Sequence, residues 1–204
     1  SHALVASLAA EFESQGGVIA RGRRVVAVES GATLVCEVER GVERVRAARV
    51  VNAAGLWADE IAAMFGVALP QRLVKGSYFR VKRPLVRALV YPVPPADGMS
   101  LGVHATVDLA GHLRLGPDAE AASSREDYAV DEARAGAFFA SASRWLQNLR
   151  IEDLAPDTAG IRPKVASGDF ELRAEGAAVH LVGIESPGLT AALAIGERVA
   201  MLLA

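Results

Sequence analysis

Four short segments hold the side chains able to do chemistry in this chain. His104 sits mid-strand in LGVHAT. An imidazole titrates near neutral pH and can act as a general base, the alternative being a hydrogen-bonded, half-buried histidine. Gly160, Arg162 and Lys164 fall in AGIRPK, which places two cations in an irregular stretch. A guanidinium fork bonds both oxygens of a carboxylate, so Arg162 can clamp an acid with Lys164 as helper. The alternative for Arg162 is a surface ion pair with an acid such as Asp157. Lys75 and Tyr78 lie in KGSYF and Tyr91 in LVYPVP, where an aromatic ring either fills a sheet face or hydrogen-bonds a ligand from a pocket wall. His2, His112 and His180 show no pairing by spacing. With Cys36 the only cysteine, no metal-ligand set emerges.

Two further segments offer backbone rather than side chains. In RVVNAAGLWADEIAA a strand (Arg49–Asn52) stops at Ala53, Ala54 and Gly55, and a helix opens at Leu56–Trp57. Gly55 has no Cβ and tolerates φ > 0 or a close neighbour. The second segment repeats this layout. A strand over Val179–Gly183 meets the turn Glu185–Gly188, and a helix follows from Leu189. Ser186 and Thr190 can cap it, and the N–H groups of Gly188, Leu189 and Thr190 point back at the turn. Such helix starts favour negative charge on a ligand. In both places the alternative is a plain packing turn.

The elements that must hold these groups are readable from periodicity. Leu4, Val5, Leu8 and Phe12 share a helical face that ends at Gly16–Gly17. Strands Val18–Arg21, Arg24–Glu29, Thr33–Glu39 and Arg44–Ala47 follow as a meander with turns at Gly31 and Gly41. The helix Leu56–Phe65 should bury Trp57, Ile61 and Phe65. After Pro70 the character changes. Leu73–Lys82 alternates as a strand, with Tyr78 on one face and Lys75 on the other. Ala88–Val93, Ser100–Val107 and a hairpin at Gly111–Leu115 complete a sheet, interrupted by Pro92, Pro94 and Pro95. Asp118–Asp131 reads as a solvated acidic loop. Asp131 caps a helix through Asn148 that buries Phe138, Phe139 and Leu146. Leu154 to Pro163 reads as loop, and Leu189–Leu203 as a helix buried on most sides. The expected division is 1–69, 70–154 and 155–204.

With 204 residues, 51% hydrophobic and 23% charged, the chain can bury a sizeable core. A net charge of −2 gives no electrostatic footprint for nucleic acid or an anionic membrane. No apolar run reaches a membrane span, and no signal peptide is visible. The lone cysteine fits a reducing, cytoplasmic setting. The chain opens without Met, straight into a helix, as part of a longer polypeptide would.

Together VVNAAGLWADEIA, KGSYFRV, LVYPVP, LGVHAT, LRLGPDAE, AGIRPK and VGIESPGLTAALAIGE resemble, in order, the FAD-dependent oxidoreductases of the D-amino-acid oxidase and glycine oxidase superfamily, on the branch containing L-2-hydroxyglutarate dehydrogenase. The resemblance implies an α/β (α+β) architecture: the later part of a Rossmann-like FAD-binding domain plus a mainly antiparallel substrate domain with a covering helix. It implies FAD as cofactor. Val25 would touch the adenine side through its backbone, and Ala53, Ala54, Gly55 and Trp57 would lie against the ADP portion. Gly160, Ser186, Pro187, Gly188, Leu189 and Thr190 would lie by the flavin. His104, Arg162, Lys75, Tyr78 and Lys164 would face a small carboxylate substrate, a 2-hydroxy acid on the leading reading and an amino acid or amine on the second. The family's G-x-G-x-x-G turn on the FAD pyrophosphate is absent here, so the partner expected for this stretch is the missing N-terminal part. A third expectation is a non-catalytic module with an exposed apolar surface around the first helix and Arg49–Asn52.

Overall fold

The computed structural model describes residues 1–30, 32–93 and 102–204, and they form two compact units: Ser1–Gln71 with Val165–Ala204, and Arg72–Lys164. The expected turn at Gly31, Pro94 and Pro95, and the start of the Ser100–Val107 strand lie outside the described residues. The second unit runs ten residues beyond the expected boundary at Leu154. It therefore takes Gly160, Arg162 and Lys164 out of the unit that holds the two strand-to-helix turns.

The first unit opens with helix α1 (His2–Ser14), none of whose residues is buried. Strands β1 (Arg24–Glu29), β2 (Thr33–Val38) and β3 (Gly41–Arg46) form the antiparallel meander β1-β2-β3, with Cys36 buried on β2. Val18–Arg21 is not a strand. Strand β4 (Val50–Asn52) then leads through a 3-10 turn, Gly55–Trp57, into α2 (Ala58–Met64). That helix buries Ala58 and Ala62, while Trp57 remains 38% exposed, against expectation. The small side chains let the helix axis approach the sheet closely, and the large ring at its entry is left outside.

The second unit is built on β5 (Arg72–Val81), with β6 (His104–Val107), β7 (Leu113–Gly116) and β8 (Glu120–Ala121) in the order β6-β7-β5-β8. Asp131 caps a 3-10 turn (Glu132–Arg134) by accepting from the Ala133 N–H at 2.9 Å, and α3 (Ala135–Ala142) follows. The helix stops six residues before Asn148, although Leu146 and Leu149 still pack beneath it. The expected loop from Leu154 is instead strand β9 (Leu154–Lys164), paired antiparallel with β5 along its whole length. Pro156 and Pro163 lack the N–H a central strand needs, but β9 is an edge with one partner, where proline is tolerated. Ala88–Val93 contributes only a single bridge, Val90 to Ala105. Phe79, Val81, Ala105, Leu113, Leu115 and Leu154 form one sheet face and pack on Phe138 and Ala142. The Phe79 and Phe138 rings lie 4.7 Å apart. Each such buried ring contributes about 1.5–3 kcal/mol.

The chain returns to the first unit through β10 (Glu171–Glu175), β11 (Ala178–Val182) and α4 (Gly188–Leu203), giving the sheet β10-β11-β4. Strand β10 is polar and mostly exposed, so its composition hides it. β11 is buried throughout and runs parallel to β4, and near-continuous apolar strands are what parallel pairing requires. Val179 and Leu181 pack on Ile195 and Val199 of α4. Val182 packs on Ala58 and Ala62 of α2 from the other face. Helix α4 buries only Gly188 and Val199, and Leu189, Leu193 and Met201 are exposed. Its apolar surface is thus covered on one side, not on most.

Candidate functional site

The first unit brings its two turns together by topology. β4 and β11 are adjacent and parallel, so Ala53–Trp57 and Gly183–Gly188 both leave from the carboxyl ends of neighbouring strands. Their helices cover opposite faces of the sheet. Open α/β sheets bind ligands in the crevice formed at such a divergence. Ala53 and Gly55 are exposed. Gly55 has φ +58°, and nothing lies within 4 Å of where its Cβ would be, so the backbone there is open to close approach.

Side chains rather than caps hold the turns. Asn52 Nδ2 donates to the Ala58 carbonyl at 2.8 Å, and its Oδ1 accepts from the Ala54 N–H at 3.3 Å. Gln71 Nε2 donates to the carbonyls of Gly55 (3.2 Å) and Leu56 (3.4 Å), and its Oε1 accepts from the Gly183 N–H at 3.0 Å. At α4 the N-cap is Pro187, and no side chain caps, so Ser186 and Thr190 do not play the expected part. The Gly188 N–H donates to the Glu185 carbonyl, which leaves Leu189 and Thr190 to present the first outward helix N–H groups. Val25 lies on β1, an edge strand, beside a bulge between Val25 and Ala27.

The second unit sorts its polar residues by strand parity. Arg80 pairs with Arg114, Arg114 with Thr106, and Gly116 with His104, while Val74 pairs with Arg162 and Gly76 with Gly160. Tyr78, Arg80, Arg114, His104, Gly160, Arg162 and Lys164 therefore share the face opposite the Phe79 core. Asp157, the acid named in the alternative reading of Arg162, pairs with Arg114 at 2.5 Å, and Arg162 has interactions of its own.

His104 is 7% exposed, and its Nδ1 lies 3.3 Å from the Gly102 carbonyl. A carbonyl only accepts, so Nδ1 carries the proton and the neutral ring keeps a lone pair on Nε2. Burial pushes this histidine below the ordinary imidazole range, opposed by the Gly102 contact. The Tyr91 ring stacks on it, centroids 4.6 Å apart. Burial likewise raises the Tyr78 phenol, with Arg162 opposing.

Lys75 belongs elsewhere. It shares the face of Ser77 and Phe79, is buried, and bonds Asp127 at 2.7 Å with Glu120 at 3.8 Å. Arg134 closes the network on Asp118 (2.6 Å) and Glu120 (2.8 Å), and Asp118 also accepts from the Ser77 N–H at 2.7 Å. The 118–131 segment, expected as a solvated loop, thus anchors β5. Donation from Lys75, aided by the Ser123 N–H and hydroxyl, lowers the Asp127 carboxyl to about 2. Lys75 is a structural cation, not a neighbour of Tyr78 at a ligand face. His180 is also structural. It is fully buried, 3.1 Å from Asn52 Nδ2, and edge-on to Phe65. Sequence reasoning passed over Asn52, Gln71 and Arg114. Asn52 carried a signal, as the one polar residue ending an apolar strand before a small-residue turn, whereas Gln71 carried none.

A strand-to-helix pair at the ends of adjacent parallel strands, with a separate antiparallel sheet carrying a polar face, is a mixed α/β architecture with a ligand crevice at the turns. The chain belongs to the FAD dependent oxidoreductase (DAO) family, whose model matches residues 1–202. It is similar to the mitochondrial L-2-hydroxyglutarate dehydrogenase of Arabidopsis thaliana, with 36% identity over 81% of this chain and 39% of the relative. To the L-2-hydroxyglutarate dehydrogenase of Indibacter alkaliphilus it is 28% identical over 96% of this chain and 60% of the relative. Among solved structures it is similar to the FAD-bound L-alpha-glycerophosphate oxidase of Mycoplasma pneumoniae, with TM-score 0.73 and 25% identity over 89% of this chain and 50% of that one. The glycine oxidase of Geobacillus kaustophilus shares the fold, with TM-score 0.76 and 22% identity over 98% of this chain and 53% of that one. The chain thus spans 39% and 60% of the two curated relatives named.

Proposed function

We propose that this chain carries the cofactor turns and the substrate face of a flavoprotein that oxidises a small 2-hydroxy acid, of the L-2-hydroxyglutarate kind, to the 2-oxo acid. The observation that carries the reading is the polar sheet face. It holds a buried histidine, its Nδ1 on the Gly102 carbonyl, in the same layer as Arg162 and Tyr78. The names of the relatives support the substrate class.

Open small residues at the first turn and outward helix N–H groups at the second fit a group that carries negative charge and is approached closely by backbone. Ala53, Ala54, Gly55 and Trp57 would hold FAD at the first turn, and Gly188, Leu189 and Thr190 at the second. When bound, FAD supplies the two-electron oxidation of the carbon bearing the hydroxyl. The chain's residues supply the rest. Arg162 binds the substrate carboxylate through its fork, with Lys164 two residues along the same face. His104 Nε2 takes the hydroxyl proton, and its low pKa keeps the ring neutral and ready to accept. Tyr78 orients the acid from the same face.

The partner is the remainder of a longer polypeptide. Leu4, Val5, Leu8 and Phe12 on α1, Val51 on β4 and Leu193 on α4 are each exposed in the first unit, which suits a surface covered by further chain. No helix among the described residues is long and apolar enough to cross a membrane. Cytoplasmic residence is part of this reading and rests on the lone, buried Cys36.

The test is kinetic, on the full-length flavoprotein. His104→Ala should lower kcat on the order of 10²–10⁴-fold, and Arg162→Ala should mainly raise KM for the 2-hydroxy acid. Unchanged turnover in the first variant removes the base. A preparation that oxidises glycine or sarcosine but no 2-hydroxy acid overturns the substrate class.

A further inference from the structure

The two turns of the first unit come from strands far apart in sequence, and the gap between them is closed by one side chain. Gln71 places its amide between them. Nε2 reaches the carbonyls of Gly55 and Leu56 and, at 3.4 Å, Asp59 Oδ1, while Oε1 receives the Gly183 N–H at 3.0 Å. Both functional ends of the amide are therefore spent, donor on the first turn and acceptor on the second. No other residue type of that length carries a donor pair and an acceptor on one planar group.

The groups it engages lie where regular structure changes or ends, and the Gly55 carbonyl also accepts the Ala58 N–H. Gly55 and Leu56 sit in a single 3-10 turn, and Gly183 follows the last residue of β11, where the ladder has ended. Without Gln71 the Gly183 N–H would lose this partner, and nothing in the amide's place would tie the second turn to the first. Asn52 braces the first turn internally through Ala54 and Ala58 but does not touch the second. We infer that Gln71 is a positioning residue that locks the two strand-to-helix turns into one rigid cradle, so that the cofactor meets both in a fixed register. The inference rests on the reading that these turns hold FAD.

Three variants separate the tie from that reading. Amide hydrogen exchange is measured on the full-length protein. Gln71→Met removes both ends of the bridge at similar length. Gln71→Glu keeps an acceptor for Gly183 but loses the donors. Arg173→Gln, on exposed β10, serves as control. Net loss of a single hydrogen bond corresponds to roughly fivefold faster exchange. Gln71→Met should show this at Gly183 and across Gly55–Trp57. Gln71→Glu should restore protection at Gly183 only. Exchange that rises at one turn alone in Gln71→Met, or at neither, overturns the tie. In the full-length protein, Gln71→Met should weaken flavin binding, read by flavin fluorescence, by about 25-fold if the full value of two such bonds is lost. Faster exchange at both turns with unaltered flavin affinity leaves the tie standing and removes these turns from the cofactor site.

Discussion

Gly116→Ala is the substitution that most directly tests how the second unit builds its polar face. Gly116 ends β7, pairs with His104 and adopts φ +145°, a backbone conformation that L side chains rarely take. A Cβ there would lie 2.6 Å from the Ser77 carbonyl oxygen and 2.7 Å from Cδ1 of Tyr78. The first neighbour is backbone of β5 and cannot step aside without moving the strand. The second is the ring proposed to orient the substrate. Two costs add. The backbone conformation costs about 1–2 kcal/mol for a residue with a Cβ. Forcing a methyl into filled space costs about 1–3 kcal/mol more. Gly111 supplies the control, because it has φ +85° and nothing within 4 Å of its Cβ position, so Gly111→Ala should show the backbone cost alone. The chain has two tryptophans, and a Trp57→Phe background leaves Trp145 to report on the second unit. Urea unfolding in that background should place Gly116→Ala about 1–3 kcal/mol below Gly111→Ala. Equal losses would mean that Tyr78 and the β5 backbone give way freely, and the rigid polar face would have to be abandoned.

Three further outcomes are expected. His180 is held neutral by burial, below its ordinary value of 6.5, so the unfolded chain binds its proton first. Stability of the first unit, followed by Trp57 in a Trp145→Phe background, should be full above about pH 6.5 and fall below it, and His180→Phe should flatten that limb. The Asp127 carboxyl is lowered from 3.8 to about 2, so its contribution is full above pH 3.8 and is lost as pH falls toward 2; Asp127→Asn should remove that acid-dependent part of the second unit's urea midpoint. Tyr91→Ala should uncover His104 and raise its NMR titration midpoint toward that of a solvated histidine, whereas Tyr91→Phe should leave it in place.

How far the sequence reveals this arrangement depends on whether a residue's partner is local. The turn after β4 and the helix after β11 are visible because small residues, Pro–Gly punctuation and apolar runs are properties of neighbouring positions. The cap at Asp131 is local in the same sense. Strand β9 is not. Its burial alternates weakly, and two prolines argue for a loop until its position as an edge beside β5 is known. The acidic segment after Gly116 shows the same limit. Asp118, Glu120 and Asp127 look solvated because nothing adjacent neutralises them, yet their cations are Lys75 and Arg134, as much as 52 residues away. Parity along β5 already separated Lys75 from Tyr78. Only the long-range pairing shows that one side of that division is closed by an ion network and the other keeps His104 and Arg162 in one layer.

The two kinds of sheet suit the two proposed tasks. A parallel pair ends both of its strands at the same side, so helix starts and small-residue turns collect there. That is where backbone N–H groups are available to a large anionic cofactor whose recognition needs close approach more than side-chain chemistry. An antiparallel sheet presents alternate side chains on a flat face instead. β5, β7, β6 and β9 use that face to set a cation, a phenol and an imidazole in one layer while Phe79 and its neighbours hold the other side rigid. On the proposed reading, residues whose side chains act on substrate fall on the second, antiparallel sheet. A residue that merely holds backbone in place, such as Asn52 or Gln71, belongs on the first. This division explains why the residues proposed for proton and carboxylate chemistry all fall between Arg72 and Lys164.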